Sequence, residues 1–223
     1  MSLEFIIRSF IRQHHNENMA VVYRLPWVAK WLYPQAMSTV KFSEQVLCLT
    51  FDDGPDPGST PYIMDILNRN AIKACFFCTG ENAEKFPELV SMLVKEGHVS
   101  GNHTYSHLDG IGVTTKRYLD DILRAVPYTS SVIFRPPFGR MKPGQYRALA
   151  GCYKIVLWDL LAADFAENVS GKKIIEELKV KIRSGSIIAL HDKPISRKKN
   201  FLEEFIKMMK DSGYTFVLPD FNM

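Results

Sequence analysis

The stretch "LTFDDGPDPG", residues 49–58, places two carboxylates side by side at the end of an apolar run and directly before a Gly-Pro turn. The preceding run, "QVLCLTF" at 45–51, has the length and composition of a strand that is buried on both faces. Asp52 and Asp53 repel each other, and ionising both away from water is costly unless a cation lies nearby. One Asp would suffice to cap the helix expected near Pro61. We therefore expect one acid to bind a metal ion while the other takes a proton from an attacking water.

Strand-like and helix-like segments alternate along the rest of the chain. Helical patterns lie near 61–70, 82–96, 115–126, 143–150, 170–183 and 197–212, and the predicted strands are 45–51, 73–80, 98–104, 131–137, 153–159, 186–192 and 214–220. Seven strands joined by crossover helices predict an α/β fold with a parallel sheet that is buried on both faces.

Such a chain either closes into a barrel or spreads into an open, doubly wound sheet. Residues of catalytic type follow five of the predicted strands, namely Asp52 with Asp53, His103 with His107, Arg135, Asp164, and His191 with Asp192. A ring of strand ends brings five such positions to one mouth, whereas an open sheet gathers only those near its switch point. The sequence therefore favours a distorted (β/α) barrel with seven strands.

The composition fits one globular domain and excludes several other classes. Of the 223 residues, 46% are hydrophobic and 23% charged, with a net charge of +4. We expect no nucleic-acid partner, because no long basic stripe is interleaved with aromatic residues, and no membrane span, because no apolar run reaches roughly 18 residues. We interpret 1–44 as an N-terminal arm, which packs outside the barrel or plugs its floor, and 45–223 as the catalytic domain.

The N-terminal sequence and the cysteines give only a weak indication of location. "MSLEFIIRSFIRQHH" is interrupted by two arginines and lacks the features of a signal peptide. Cys75 and Cys78 have a C-x-x-C spacing, but they lie in a predicted strand, where positions three apart point to opposite faces, so we interpret them as core residues. Reduced thiols without an export signal lead us to expect a cytoplasmic protein.

The segment "GNHTYSH", residues 101–107, places two histidines four positions apart. One helical turn or a tight loop can then direct both imidazoles to one point. Two unrelated surface histidines remain an alternative. With Asp53 from another strand end, however, His103 and His107 complete a two-histidine, one-carboxylate set, which is typical of catalytic metal sites that keep open positions.

Four motifs in this order and at these separations, "TFDDGP", "HTYSH", "RPPFG" and "IIALHD", resemble the polysaccharide deacetylases, the NodB-like carbohydrate esterases of family 4. The resemblance covers roughly residues 45–220. It implies a distorted (β/α) barrel of NodB type that removes acetyl groups from N-acetylated sugars. It also implies a divalent metal, usually zinc, with cobalt or nickel as alternatives.

The resemblance assigns a role to each motif residue. It makes Asp52 the general base, Asp53 with His103 and His107 the metal ligands, and Arg135 the residue that orients the base. An arginine fork can hold a carboxylate ionised and in place.

The later motifs supply the remaining groups that the family uses. The resemblance makes the Phe138 backbone N–H the donor to the developing oxyanion, and a phenylalanine supplies that N–H as well as the family's tyrosine does. It makes His191 the general acid for the leaving amine. Asp192 receives no catalytic role and is expected to hold the local turn.

The fourth family motif, D-x-x-D-W, is altered in "WDLLAADF", residues 158–165. Asp164 matches the second acid, Phe165 replaces the tryptophan, and Leu161 stands where the first acid would be. Asp159 is a candidate substitute for that acid. The departure puts in doubt the surroundings of His191 and Arg135 and the shape of the acyl pocket.

The expected activity is hydrolysis of an N-acetyl group on a sugar or polysaccharide, such as a chitooligosaccharide or a peptidoglycan-like glycan. Tyr105, Phe138, Trp158 and Phe165 either line a substrate groove or belong to the core. Two alternatives stay open: a metal-dependent hydrolase of another C–N bond, in a small or cyclic amide or a lipid-linked sugar, and a metal-binding or sugar-binding relative without turnover. Nothing in the sequence fixes the number of subunits.

Overall fold

The computed structural model describes residues 22–42, 44–129, 132–194 and 200–221. These residues form a single mixed sheet surrounded by helices. The strands are β1 Val22–Arg24, β2 Val46–Asp52, β3 Cys75–Cys78, β4 Val99–Asn102, β5 Ile133–Phe134, β6 Lys154–Ile155, β7 Leu160–Ala162, β8 Ser186–His191 and β9 Thr215–Phe216. The α-helices are α1 Trp27–Leu32, α2 Thr60–Arg69, α3 Gly80–Lys85, α4 Pro87–Lys95, α5 Thr115–Thr129, α6 Pro143–Leu149, α7 Gly171–Lys181 and α8 Phe201–Asp211.

The sheet closes on itself through one extended segment. Its order is β1-β7-β8-β2-β3-β4-β5-β6, with β9 beside the start of β2. β6 pairs with β5, and β7, only a few residues further on, pairs with β8 at the other side of the sheet. Between them, Asp159 N–H donates to the Ile187 carbonyl at 2.8 Å. Residues 154–162 therefore connect the β5 side of the sheet to the β8 side, in agreement with the expected distorted (β/α) barrel.

The predicted number of strands was approximate. The part of the chain that the structure describes contains nine short strands rather than seven. The predicted run 153–159 covers β6 but stops before β7, and β1 was not predicted. Both β1 and β7 are three residues long, which is too short for a clear periodic pattern.

Alternation along β2 separates the barrel interior from the outer core. All seven residues of β2 are buried. Leu47, Leu49 and Phe51 face the helices in one hydrophobic cluster, whereas Cys48 belongs to the interior cluster. Because side chains alternate with a period of two, Thr50 and Asp52 point inward with Cys48. Asp53 thus directly follows the inward-facing Asp52 at the barrel mouth.

Cys75 and Cys78 are both fully buried, as predicted for core residues. Cys75 lies in the interior cluster and Cys78 in the outer one. The strand geometry therefore separates the two thiols, and burial raises the pKa of Cys78 to about 12.

The described part of the N-terminal arm lies along the barrel wall. β1 pairs antiparallel with β7, and Ala29 of α1 packs into a cluster with Leu25, Tyr33 and Leu161. Residues 1–21 lie outside the described residues, and the proposed boundary at 44 stays a prediction. Among the described helices, none is both long enough and apolar enough to span a bilayer.

Candidate metal centre and active site

The strand register brings the predicted functional residues to one end of the barrel. Asp52 on β2 is the direct partner of His191 on β8. Asn102 on β4 is the partner of Phe134 on β5, so His103 and Arg135, which follow them, are also neighbours. The carboxyl ends of parallel strands therefore form the mouth, as in other barrels of this type.

Asp53, His103 and His107 have the arrangement of a metal-binding triad. The Asp53 Oδ1 atom lies 3.5 Å from His103 Nε2 and 3.0 Å from His107 Nε2. One ligand atom from each residue lies within 4.8 Å of the other two. Although buried, Asp53 Oδ1 receives no hydrogen bond of good geometry from any described residue. A buried carboxylate oxygen that faces two imidazole nitrogens fits a divalent cation with nitrogen and oxygen ligands.

A hydrogen bond behind His103 fixes which ring nitrogen faces the triad. His103 Nδ1 lies 2.8 Å from the Arg135 carbonyl oxygen. A carbonyl can only accept, so Nδ1 carries the proton and the Nε2 lone pair is directed at the Asp53 side. Arg135 thus contacts His103 through its backbone carbonyl and Asp52 through its side chain.

The backbone around the triad is held in an uncommon conformation. Asp53, Thr104 and His107 have φ values of 77°, 62° and 54°. Each such non-glycine residue costs on the order of 1 kcal/mol or more and persists only where neighbours hold it. The Asp53 N–H donates to the Phe77 carbonyl at 3.1 Å, and the Asn82 side chain donates to the Asp53 carbonyl at 2.8 Å. These bonds aim the carboxylate at the histidines.

The Asp53 carboxyl is ionised. Burial on its own would raise its pKa, but the neighbouring imidazoles of His103 and His107 and the charge of His191 hold the pKa well below its usual range. An ionised carboxylate is the form that ligates metals.

Asp52 is held by the fully buried Arg135. Arg135 Nη1 donates to Asp52 Oδ1 at 2.6 Å and to the Thr50 hydroxyl at 2.7 Å. Its other nitrogens donate to the carbonyls of Val156 and Leu157, both at 3.1 Å. The guanidinium also lies over the Phe77 ring, 4.1 Å from its centroid. Neither the carboxylate nor the guanidinium can reorient without breaking this network.

His191 is oriented and charged by Asp164. One carboxylate oxygen of Asp164 lies 2.7 Å from His191 Nδ1, and the other accepts from the His191 backbone N–H at 2.8 Å. Burial would lower the pKa of His191, but the charge and hydrogen bond of Asp164 outweigh it and raise the pKa. Asp164 therefore stabilises the imidazolium form of His191, which is the form that carries a proton on Nε2.

The altered fourth motif leaves these contacts intact. Leu161 is a buried residue of β7, and each guanidinium nitrogen of Arg135 has an acceptor without an acid there. The prediction that Asp159 substitutes for the missing acid was wrong. Asp159 lies near the opposite end of the barrel, where Arg24, Arg183 and Ser186 donate to it. Asp159 lies between β6 and β7, directly before β7, and not at the carboxyl end of a strand.

Asp192 was expected to hold the local turn, but its side chain contacts residues that are distant in the sequence. Its two carboxylate oxygens accept from the Ser59 and Thr60 hydroxyls, both at 2.6 Å. Burial raises the pKa of Asp192 to about 6. The contacts join the end of β8 to the start of α2.

Of the four aromatic residues considered for a groove, two flank the mouth. Phe138 is 50% exposed, with its ring edge-on to His107 at 4.8 Å, and Phe165 is 43% exposed, edge-on to His191 at 4.7 Å. Tyr105 and Trp158 are core residues instead. The Tyr105 hydroxyl donates to Glu84, and the Trp158 ring packs under Gly139, so neither lines a groove.

Lys193 is a contact of the triad that the motifs did not indicate. Its Nζ lies 2.6 Å from Asp53 Oδ2. The available signal was its position directly after "HD" at the end of β8, but a single lysine there is unremarkable without the structure.

A closed, distorted β/α barrel with this triad at its mouth is the architecture of a hydrolase family. The chain belongs to the polysaccharide deacetylase family, whose family model matches residues 39–151. It is 36% identical over 202 residues to a peptidoglycan-N-acetylglucosamine deacetylase of Bacillus cereus, covering 86% of this chain and 72% of that protein. It is 30% identical to the peptidoglycan-N-acetylmuramic acid deacetylase PdaC of Bacillus subtilis, covering 80% of this chain and 39% of the relative.

Solved structures show the same fold. A peptidoglycan N-acetylglucosamine deacetylase in complex with 4-naphthalen-1-yl-N-oxidanyl-benzamide is similar with a TM-score of 0.78 and 32% identity, covering 86% of this chain and 94% of that one. PdaA of Bacillus subtilis, a family 4 carbohydrate esterase, is similar with a TM-score of 0.72 and 26% identity, covering 85% and 84%.

Proposed function

We propose that this protein is a metal-dependent deacetylase that hydrolyses the N-acetyl group of a sugar polymer. The observation that carries the proposal is the buried, unbonded Asp53 Oδ1 between two imidazoles, next to the Asp52–Arg135 pair. The relatives named above act on N-acetylglucosamine or N-acetylmuramic acid of peptidoglycan, which supports a substrate of that class.

Asp53, His103 and His107 would hold the cation. A divalent ion there supplies Lewis-acid chemistry, because it polarises a carbonyl and lowers the pKa of water. Zinc is the first choice for two imidazoles and one carboxylate, and cobalt and nickel also accept imidazole ligands.

Asp52 acts as the general base. Arg135 donates a hydrogen bond to it and fixes the direction of its oxygens. It accepts the proton of the attacking water when the carbon–oxygen bond forms. Of the two adjacent acids, Asp53 thus binds the metal ion and Asp52 accepts a proton.

His191 acts as the general acid. Asp164 holds Nδ1, so the proton on Nε2 passes to the amine nitrogen as the carbon–nitrogen bond breaks. The Phe138 N–H, in a turn with φ of 59°, stabilises the negative charge that develops on the carbonyl oxygen. The exposed rings of Phe138 and Phe165 stand on two sides of this position and offer surfaces for a sugar.

The test is acetate release from peptidoglycan and from chitooligosaccharides, measured after chelation and after zinc, cobalt or nickel is restored. Chelation should abolish release, and restoration should recover it. Asp52→Asn and His191→Ala should each lower kcat by about 10²- to 10⁴-fold and still bind zinc. Asp211→Asn, an exposed carboxylate on α8, serves as the control and should behave as wild type.

The alternatives give different results in the same assay. Hydrolysis of a small cyclic amide, without release of acetate from any glycan, would indicate that the protein cleaves another kind of C–N bond. Zinc binding without turnover of any substrate would point to a non-catalytic relative. Near-wild-type rates in Asp52→Asn or His191→Ala would contradict the assigned roles.

A further inference from the structure

We propose that Lys193 tunes the metal site. Its ammonium group holds the second oxygen of Asp53 and offsets the negative charge of the ligand set, so a cation is bound less tightly and acts as a stronger Lewis acid. The effect on turnover rests on the proposed function, whereas the effect on metal affinity does not.

The two oxygens of Asp53 have different partners. Oδ1 faces the Nε2 atoms of His103 and His107, and Oδ2 is 2.6 Å from Lys193 Nζ. A carboxylate with two free oxygens can bind a cation through one or both of them. Because the ammonium occupies Oδ2, Asp53 presents a single oxygen to the histidine side.

Lys193 is placed by a rigid part of the barrel. The Asp192 N–H donates to the Asp52 carbonyl at 2.8 Å, and the Asp192 carboxylate is held by Ser59 and Thr60. Pro194 follows and favours an extended backbone at Lys193. The contacts of Asp192 therefore hold the residue that directly precedes Lys193 beside the mouth.

The environment differs from that of an ordinary surface pair. The Asp53 side chain is only 12% exposed, while that of Lys193 is 53% exposed. In the pair Lys207–Asp211 on α8, both partners are well exposed, and such pairs contribute little. One partially buried partner makes the Lys193 contact less screened by water.

Two other acids of the mouth, Asp52 and Asp164, already have basic partners. Arg135 neutralises Asp52, and His191 is paired with Asp164. Within the described residues, Lys193 is the one lysine or arginine in contact with Asp53. With neutral imidazoles, the ligand set carries one negative charge, and Lys193 offsets it. Removing the positive charge of Lys193 should raise the affinity of the site for a cation. It should also reduce the polarisation that the cation exerts on a carbonyl.

Three variants of the full chain separate charge from shape. Lys193→Gln keeps a donor but removes the charge, Lys193→Arg keeps both, and Lys207→Gln removes an exposed charge elsewhere. Zinc affinity is measured by competition with a chromophoric chelator, and kcat and KM by acetate release. We expect Lys193→Gln to bind zinc about tenfold more tightly and to lose about tenfold in kcat at similar KM. The other two variants should stay within about twofold of wild type.

A charge effect also depends on salt. The difference in zinc affinity between wild type and Lys193→Gln should shrink as ionic strength rises. Unchanged or weaker zinc binding by Lys193→Gln, an unchanged kcat, or an arginine variant that behaves like the glutamine variant would overturn the proposal. If wild type released no acetate, the proposed function would fail, and the zinc titration would still decide whether Lys193 tunes the affinity.

Discussion

Arg135 contacts both Asp52 and His103. Its side chain is completely buried and donates to Asp52, Thr50 and two backbone carbonyls, while its own carbonyl accepts from His103. The planar guanidinium meets these acceptors in fixed directions. A lysine, with a compact ammonium, cannot reach all of them.

Arg135→Lys should therefore lower both stability and activity. It leaves buried acceptors without donors, which should cost about 3 kcal/mol in the free energy of unfolding, and it releases Asp52, which should lower kcat by tenfold or more. Urea unfolding and acetate release measure the two effects. Arg117→Lys, on the exposed face of α5, is the matched control and should change stability by less than about 0.5 kcal/mol. Equal behaviour of the two variants would contradict this account of Arg135.

At the residue scale, motif chemistry predicted where most site residues lie. Asp53 and the two histidines come together because carboxyl ends of parallel strands meet. Lys193 and the position of Asp159 could not be predicted, because both depend on which neighbouring strand faces the side chain. Tyr105 shows the same limit: an aromatic beside a motif residue can point into the core.

The short 3₁₀ turn Pro137–Gly139 is the element that presents the Phe138 N–H. Phe138 and Gly139 have φ values of 59° and 65°. A Cβ atom at Gly139 would lie 2.3 Å from the Trp158 ring, which is itself buried. The turn therefore needs glycine for its backbone conformation and for its close approach to tryptophan.

Gly139→Ala should displace this turn. The clash and the unfavourable φ should together cost at least about 2 kcal/mol, and the shifted Phe138 N–H should lower kcat more than KM. Thermal unfolding and steady-state kinetics report the two effects. Gly112 lies in the 3₁₀ turn Gly110–Gly112, and a Cβ atom there would have no neighbour within 4 Å. Gly112→Ala should therefore change stability and activity very little. A Gly139→Ala variant as stable and as active as Gly112→Ala would rule out the packing argument.

Element boundaries were predicted well where a local signal existed. Ser170, the first residue of the predicted helix 170–183, caps α7 through a hydrogen bond from the Lys173 N–H. The predicted helix 82–96 is instead two helices, α3 and α4, which meet at Pro87. Proline favours a first helical turn and breaks a helix interior, so the break follows from local chemistry that periodicity alone overlooks.

His98 makes the stability of the whole molecule depend on pH. Its ring is buried, Nδ1 accepts from the Ala74 N–H at 3.2 Å, and no described residue bonds to Nε2. Burial, reinforced by the charge of Lys73 and opposed by that of Glu96, lowers its pKa to about 4. Since the unfolded chain binds this proton near pH 6.5, stability is lost as pH falls below that value and levels off near pH 4.

Between pH 7 and pH 5, His98 should remove about 2 kcal/mol from the free energy of unfolding. His98→Asn keeps an acceptor near the Nδ1 position and carries no titrating group, so its unfolding energy should fall less over this interval. Urea unfolding at several pH values measures the difference. Identical pH profiles for the two proteins would refute the assignment to His98.

At the scale of the molecule, the alternation of elements predicted the barrel but not how it closes. Residues 154–162 pair with β5 at one end and with β8 at the other, and the chain bends between the two pairings. Hydrophobic pattern indicates that such a run is extended, but it does not show that the run changes partners. The same limit applies to β1, whose pairing with β7 is antiparallel.

The left-handed residues at the mouth limit how this protein can be made more heat-resistant. Asp53, Thr104, His107 and Phe138 each adopt a backbone conformation that glycine reaches with less strain. Asp53 and His107, however, belong to the triad, and Phe138 is an exposed ring beside it. Substitutions that raise thermal stability are thus best sought in the helices and outer loops. Relieving the backbone strain at the mouth would raise stability but disturb the geometry of the site.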